Sequence, residues 1–336
     1  MADRCYQTPH CKEKILESAN DMQDVSLEYG RFRFRLRAAC EAVLPPFKGS
    51  ALRGVLGRAL YKIACHSPRN TCEGCMFLTR CAYAYIFDTN PHTVSGEIGQ
   101  RYVPHPYIIE PFLDGRESYA PGDILSFNLV LLGQSLDYLP YVIMAFQEVE
   151  KIGLGAGRYP FILESVEQDL GGSSETIWRG GKSFLQSPKR EDLSCYLRPG
   201  SRVSGEKVKL ELETPMRLVF GGEMVTALMF PVLMRALFRR IGFLARAHGK
   251  APLELPFQEL LQKAESIKTV EPELSWQEWE RYSARQRKKL QMGGLVGSAC
   301  FKGKLQEFLP FLRMGEIVHV GKGTVFGLGK IRIIED

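Results

Sequence analysis

Several features that would place the chain in a familiar class are missing from its sequence. No run approaches the ~20 consecutive apolar residues of a membrane span. The first 24 residues are polar throughout and lack the apolar centre of a secretory signal. These absences predict a cytoplasmic protein without a membrane partner, whose nine cysteines are reduced thiols or metal ligands rather than disulfides.

Motifs for catalytic metals and nucleotides are also missing. The sequence contains no His-x-His, no His-Glu-x-x-His and no carboxylates at the spacing of a two-metal centre. The glycine-rich segment HVGKGTVFGLGK (319–330) has one residue too many between Gly315 and Gly321 for a P-loop, and Gly323 replaces the magnesium-binding hydroxyl. Only one short strand follows, too little for a Rossmann domain. We expect no nucleotide cofactor, and no motif for a catalytic metal is present.

What is present is the composition of a soluble globular protein. The chain has 336 residues, of which 45% are hydrophobic and 24% charged, enough for two domains of ordinary size. The formal net charge of +6 permits a polyanionic partner without requiring one.

Positive charge is concentrated in two segments that have the periodicity of strands. The first is RFRFRLR, whose cations are Arg31, Arg33, Arg35 and Arg37. The second is RYSARQRKK, whose cations are Arg281, Arg285, Arg287 and Lys289. An extended chain places alternate residues on one face. A single cationic face of this kind is equally well explained as a surface exposed to solvent. Two such faces in one chain favour a partner that has a phosphate backbone, such as a nucleic acid.

The chain also contains an internal duplication. Residues 139–167 and 309–335 each begin with Leu-Pro in an apolar-periodic segment, continue through Gly-x-Gly and a basic residue, and end in a β-rich strand. The basic residues are Arg158 and Lys330. Upstream, each half shows a strand, a helix and two more strand-like segments, with RYSARQRKKLQM and LVGSACFKGKL as the two in the second half.

This order predicts an α+β protein of two tandem ferredoxin-like (βαββαβ) domains. The predicted boundaries are a polar N-terminal tail at 1–26, a first domain at 27–200 and a second at 201–336. The polar, turn-rich segment RPGSRVSGE joins the two domains. The second domain ends with the glycine-rich loop 321–329.

A Cys-rich insert at residues 65–81 follows the first predicted helix. Its cysteines are Cys65, Cys72, Cys75 and Cys81. The central Cys-x-x-Cys is the usual two-ligand turn for tetrahedral zinc, and four thiolates would complete a closed structural site. The outer spacings of six and five residues are longer than the commonest pattern. Four unrelated buried thiols are therefore the alternative, and His66 could replace Cys65.

Together these features resemble the RAMP superfamily of CRISPR-associated proteins, and within it the repeat-RNA endoribonucleases that cut precursor CRISPR RNA. The resemblance covers roughly residues 27–336 and rests on FKGSALRGVLGRAL, CAYAYIFD, PHPYIIEP, GLGAGR, WQEWERYSARQRKKLQMGGLVG and VHVGKGTVFGLGKI. It implies CRISPR repeat RNA as the partner, with a CRISPR effector complex as a further one. It also implies metal-independent attack of a ribose 2′-OH on the adjacent phosphate, leaving a 2′,3′-cyclic phosphate.

The same resemblance directs attention to the catalytic residues. Many members of the family have a histidine on or just after the first helix as the base, but the helix predicted at 48–64 contains none. Among His66, His105 and His319, we select His319 as general acid/base, because it adjoins the glycine-rich loop. Lys322 is the expected phosphate-binding cation, and Tyr282 would stack a base or assist proton transfer.

The remaining expected RNA contacts lie on the first helix, the glycine-rich loops and the basic strands. Besides the strand cations named above, they are Lys48, Arg53, Arg158, Gly321, Gly323, Gly327, Gly329 and Lys330. Two other functions fit this sequence. A non-catalytic RAMP subunit that binds crRNA is favoured by the missing first-helix histidine, and a zinc-stabilised scaffold for other proteins would have basic faces that are merely solvated.

Overall fold

The computed structural model describes residues 26–67, 71–94, 103–181, 185–197, 206–253, 255–278, 280–283 and 288–334, the backbone alone at 281–283 and 288–290. The first basic segment forms the central strand of the first domain. Its apolar residues Phe32, Phe34 and Leu36 are entirely buried, and the arginines between them lie on the opposite face. The predicted alternation is therefore confirmed for this strand.

The first domain is built from strands and three α-helices. The strands are β1 (Glu28–Ala38), β2 (Ala42–Val43), β3 (Tyr107–Pro111), β4 (Ser118–Tyr119), β5 (Ile124–Leu132), β6 (Phe161–Asp169), β7 (Ser174–Arg179) and β8 (Glu191–Asp192). The helices are α1 (Gly49–Ala64), α2 (Leu139–Gln147) and α3 (Val149–Ile152). The main sheet has the order β3-β5-β1-β6-β7, with β8 paired to β1, and every pairing in it is antiparallel.

The second domain repeats this plan. Its strands are β9 (Lys207–Met216), β10 (Val219–Phe220), β11 (Glu223–Met224), β12 (Lys268–Gln277), β13 (Glu280–Ser283), β14 (Lys288–Gln291), β15 (Gly294–Lys302) and β16 (Ile331–Ile334). The helices are α4 (Phe230–His248), α5 (Phe257–Ala264) and α6 (Leu309–Val318). The main sheet has the order β12-β15-β9-β16 and is again antiparallel.

The two sheets share one topology, which confirms the tandem ferredoxin-like fold. In the first domain β1 lies between β5 and β6, and β3 lies beyond β5. In the second domain β9 lies between β15 and β16, and β12 lies beyond β15. Each strand–helix–strand unit thus returns the chain to the same sheet, with its helices packed on one face.

One predicted strand of the second domain is wrong. The edge of the sheet is β12, and the segment RYSARQRKKLQM instead contributes β13 and β14, a separate two-stranded hairpin. The chain reverses between Ser283 and Lys288, so Tyr282 pairs with Lys289, and Arg281 with Leu290. The second basic segment is therefore not one extended strand with a single cationic face. Arg285 and Arg287 lie outside the described residues.

The two domains pack against each other through a continuous apolar core. The core of the second domain extends into the first, where it includes Leu27, Tyr29, Ile108 and Val130. Burial of this surface holds the two sheets in a fixed relation. Within the described ranges, no helix has both the length and the apolar character needed to cross a bilayer.

Candidate nucleic-acid interface

A buried ion-pair network, hereafter the clasp, joins the two domains. It consists of Arg31 on β1, Glu110 on β3 and His319 at the end of α6. The Arg31 guanidinium donates to both Glu110 oxygens, at 2.6 and 2.9 Å, and His319 Nε2 lies 2.9 Å from Glu110 Oε1. Burial alone would raise the pKa of Glu110, but the hydrogen bond with His319 and the charge of Arg31 hold it below its usual range. Glu110 is therefore an ionised carboxylate.

The predicted catalytic histidine lies inside this clasp. His319 is 0% exposed, with Nδ1 3.1 Å from the Leu328 carbonyl oxygen and Nε2 facing Glu110. Burial lowers the pKa of His319, while its bond with the carboxylate acts in the opposite direction. Both ring nitrogens are engaged and no solvent reaches them. In this conformation the ring faces Glu110 and the Leu328 carbonyl rather than solvent, and its expected acid/base role stays a prediction.

A second buried histidine also joins the domains. His248, at the end of α4, has Nε2 2.7 Å from the Pro104 carbonyl oxygen and Nδ1 2.9 Å from the Tyr85 hydroxyl. Because a carbonyl only accepts, Nε2 carries the hydrogen and Nδ1 accepts from Tyr85. Burial lowers the pKa of His248 to about 4, so the ring is neutral at neutral pH. Its polar atoms are fully satisfied, which is the pattern of a structural residue.

The C-terminal glycine-rich loop packs between the two domains. Its glycines all have positive φ, between 68° and 94°, at Gly321, Gly323, Gly327 and Gly329. A Cβ placed on Gly327 would lie 2.5 Å from the Ile109 carbonyl oxygen of β3. The loop therefore needs glycine for its backbone conformation and for close interdomain approach. These two requirements explain why glycine stands at these positions, and no role in phosphate binding is needed to explain it.

The first helix also packs against this loop. A Cβ placed on Gly49 would lie 2.0 Å from the Phe326 carbonyl oxygen. The Arg53 guanidinium carbon lies 4.5 Å from the Phe87 ring centroid and 5.2 Å from that of Phe326, so both rings contact the cation. The Lys48 ammonium is buried, 2.7 Å from Asp114. Lys48 and Arg53, expected to bind RNA, thus have structural partners here.

Other predicted contacts remain exposed to solvent. Lys322 is exposed on the glycine-rich loop, and its backbone N–H donates to Arg217 at 2.9 Å. Arg158 is exposed on the loop GLGAGR. Burial lowers the pKa of Arg58 on α1, and the charge of nearby Arg158 lowers it further. Two cations therefore lie close together at this edge of the first domain.

A cleft of about 450 Å³ opens between the two sheets. The first domain contributes Glu110, Pro111, Phe112 and Leu113, and the second contributes Glu211, Glu213, Thr214, Gly327 and Lys330. Arg33, exposed on β1, has its guanidinium carbon 5.8 Å from the Phe112 ring centroid. Lys330 Nζ lies 3.0 Å from Glu213. Lys330 thus lines the cleft, and Arg31 and Arg33 contact two of its lining residues, Glu110 and Phe112. Arg37 instead pairs with Glu164 farther along the sheet, 2.7 Å away.

The Cys-rich insert contains a cavity of about 20 Å³. All four of its cysteines line this cavity together with His66, and each is a free, partly buried thiol. Burial and the neighbouring acidic groups raise the pKa of Cys72 to about 11. Among the described residues, no three histidine, cysteine or acidic side chains stand close enough to hold a metal in this arrangement. The thiols therefore share one cavity but form no closed coordination shell.

Several residues of the interface were not found from the sequence. Glu110 is the centre of the clasp, and Phe112 forms part of the cleft wall. The sequence of their segment predicts mainly a buried strand. One signal was available, because a single carboxylate inside the apolar run YIIEPF predicts a paired buried charge. The local sequence does not show which residues pair with Glu110.

The two sheets and the cleft between them define a tandem ferredoxin-like protein. Residues 210–331 match the family model for the CRISPR-associated endoribonuclease Cas6, and residues 27–190 match a model described only as an N-terminal domain. The predicted resemblance to the CRISPR repeat-RNA endoribonucleases is thus confirmed as a family match over the second domain.

Individual proteins are similar over most of the chain. An uncharacterized protein of Archaeoglobus fulgidus is 25% identical over 314 residues, which are 92% of this chain and 98% of that protein. The structure of a Cas6 product complex matches at 15% identity and a TM-score of 0.56, covering 91% of this chain and all of that one. A partial Cas6-RT-Cas1–Cas2 complex matches at 14% identity and a TM-score of 0.56, covering 93% of this chain but 46% of the longer one. At these identities the structural matches show the fold.

Proposed function

We propose that this chain is an endoribonuclease that cleaves precursor CRISPR RNA within the repeat. The ribose 2′-oxygen loses its proton and attacks the adjacent phosphorus, and the 5′-oxygen leaves with a proton. The products are a 2′,3′-cyclic phosphate and a 5′-hydroxyl, and the reaction needs no metal ion. The observation that carries this proposal is the match of residues 210–331 to the endoribonuclease family, since this segment ends in the loop that lines the cleft.

The exposed cations suit the chemistry of phosphate. Lys322 projects from the glycine-rich loop, and we assign it to the charge that develops on the phosphorane. We keep Tyr282, on the hairpin that follows β12, as the residue that stacks a base or assists proton transfer. For His319 we propose a positioning role, because its burial in the clasp separates it from substrate while it fixes the loop that bears Lys322.

A non-catalytic subunit that binds crRNA is the second candidate. Two observations favour it: α1 has no histidine, and His319 is enclosed between Glu110 and Leu328. An RNA-binding subunit needs the cleft and the exposed cations but no proton-transfer group.

Labelled repeat RNA distinguishes these functions. With EDTA present, we expect cleavage at one site, with a cyclic phosphate on the upstream product. A single 2′-deoxy substitution at that site should abolish cleavage because the nucleophile is gone, while binding stays within about two-fold. Binding without cleavage of unmodified RNA would identify the subunit instead. If the protein neither binds nor cleaves the RNA, the zinc-stabilised scaffold for other proteins is the function that remains.

We further propose that the Cys-rich insert binds one structural zinc ion. Four free thiols line a single cavity, and four thiolates are a complete donor set for tetrahedral zinc. Zinc would draw the sulfurs of Cys65, Cys72, Cys75 and Cys81 together. The insert has little core of its own, since Met76 and Phe77 are 84% and 54% exposed. A closed site would stabilise the insert and perform no chemistry.

Elemental analysis of protein purified without added zinc tests this site. We expect about one equivalent of zinc, and its loss in the double variant Cys72→Ser/Cys75→Ser, because two of four ligands are removed. Cys300→Ser is the matched control, since Cys300 lies on β15 away from the insert. A folded wild-type chain that contains no zinc and takes up none would contradict the proposal.

A further inference from the structure

The cleft has an aromatic surface at its rim. Phe112 is 39% exposed, although a large apolar side chain is more often covered. The Arg33 guanidinium lies 5.8 Å from its ring centroid, on the strand that presents the alternating arginines. An exposed ring beside an exposed cation is the arrangement on which proteins stack an unpaired base and neutralise its phosphate.

The opposite wall offers a hydrogen-bond acceptor. Both contacts between Arg332 and Glu211 use the Oε2 atom of the carboxylate. The other oxygen, Oε1, has no partner within the described part of the chain, and Glu211 lines the cleft. Glu213 is held by Lys330 and Arg332, each at 3.0 Å. One carboxylate oxygen is thus available in a cleft whose remaining acidic groups are paired with cations.

We propose that this cleft binds one unpaired cytidine of the repeat RNA. Its base stacks on Phe112, and its N4 amino group donates to Glu211 Oε1, while Arg33 contacts the adjoining phosphate. A carboxylate accepts from the amino group of cytosine and is repelled by O4 of uracil, so the cleft discriminates between two bases of equal size. The cleft volume of about 450 Å³ lies in the range of pockets that enclose small ligands.

The inference rests on the proposed RNA-binding function and can be tested without cleavage. Repeat RNAs carry a 2′-deoxy group at the cleavage site, and each unpaired cytidine is replaced in turn by uridine. Dissociation constants are measured at one fixed salt concentration, because phosphate contacts make affinity salt-dependent. The protein is the full chain, as wild type and as Phe112→Ala, Glu211→Gln and Phe77→Ala.

One position is expected at which uridine weakens binding by wild type on the order of ten-fold. Phe112→Ala should weaken binding of the unmodified repeat by a similar factor through loss of stacking. Glu211→Gln should bind the two RNAs about equally, because an amide can donate to uracil or accept from cytosine. Phe77→Ala, which removes an exposed ring of the insert, should bind as wild type does.

Failure of this inference is distinct from failure of the proposed function. Tight binding that no cytidine replacement changes, or that Phe112→Ala leaves intact, would overturn the cytidine site while the RNA-processing function stands. Absence of repeat-RNA binding by the wild-type chain would overturn both. Circular dichroism of each variant confirms that the substitutions leave the fold unchanged.

Discussion

Replacing Glu110 by glutamine is expected to destabilise the folded chain by about 3 to 5 kcal/mol. The substitution keeps the shape of the side chain but removes the charge that Arg31 and His319 share. Loss of one partner from a buried ion pair leaves the other charge uncompensated in a poorly solvated site. The free energy of unfolding, measured by urea titration, reports this change.

Glu164→Gln is the matched control for the clasp. Glu164 pairs with Arg37 on the same sheet at 2.7 Å, but both side chains are more than a third exposed. Water screens such a pair, so we expect a loss of at most about 1 kcal/mol. Equal effects of the two substitutions would show that the buried network contributes no more than a surface pair.

The variant His319→Ala tests whether His319 acts in catalysis or only positions the glycine-rich loop. If His319 positions the loop, this variant loses stability together with activity, and lower temperature restores part of the cleavage. A catalytic His319 would leave the variant inactive even at temperatures where it is fully folded, although loss of the buried partner of Glu110 destabilises the chain in either case. The cleavage assay, performed at temperatures where urea titration shows the variant to be folded, decides between these roles.

Gly49→Ala is expected to have the second large effect. The new Cβ would lie 2.0 Å from the Phe326 carbonyl oxygen and 2.9 Å from the Phe47 ring. Because the nearest atom belongs to the backbone, α1 has to move away from the glycine-rich loop. We expect a destabilisation of about 3 kcal/mol, at the upper end for overpacking, and weaker RNA cleavage as the loop shifts.

Gly54→Ala provides a control of opposite sign on the same helix. The nearest atom to its new Cβ is an Arg58 nitrogen at 3.7 Å, an ordinary contact. Alanine in a helix interior is favoured over glycine by roughly 0.5 to 1 kcal/mol. The two variants should therefore shift the urea midpoint in opposite directions. A stabilised Gly49→Ala would contradict the close contact between α1 and the loop.

Patterns within a few residues predicted most of the fold. The alternation of arginines with Phe32, Phe34 and Leu36 predicted β1, because strand geometry places successive side chains on opposite faces. The repeated order of segments predicted two domains of one topology. The exception was the basic segment after β12, where the stretch containing Ser283 and Lys288 reverses direction. Alternating charge alone does not distinguish one long strand from two short ones.

The candidate site was harder to predict because its neighbours are remote in sequence. A glycine at position 327 indicates a backbone conformation that other residues rarely adopt, and such a conformation suits a phosphate-binding loop and close domain packing equally well. Only the close approach to Ile109 on β3 shows that Gly327 serves domain packing. Likewise, a histidine beside such a loop predicts a catalytic group, and its two partners, Glu110 and Leu328, become known only from the structure.

By itself, the sequence determined the alternating pattern of β1, the duplication and the clustering of four cysteines, since these are written in the order of residues along the chain. The tertiary structure alone decided that His319 is enclosed, that Glu110 is its partner 209 residues away, and that Phe112 and Glu211 face one cleft. Burial and pairing arise when distant segments exclude water from each other, and that outcome is set by the packing of two whole domains.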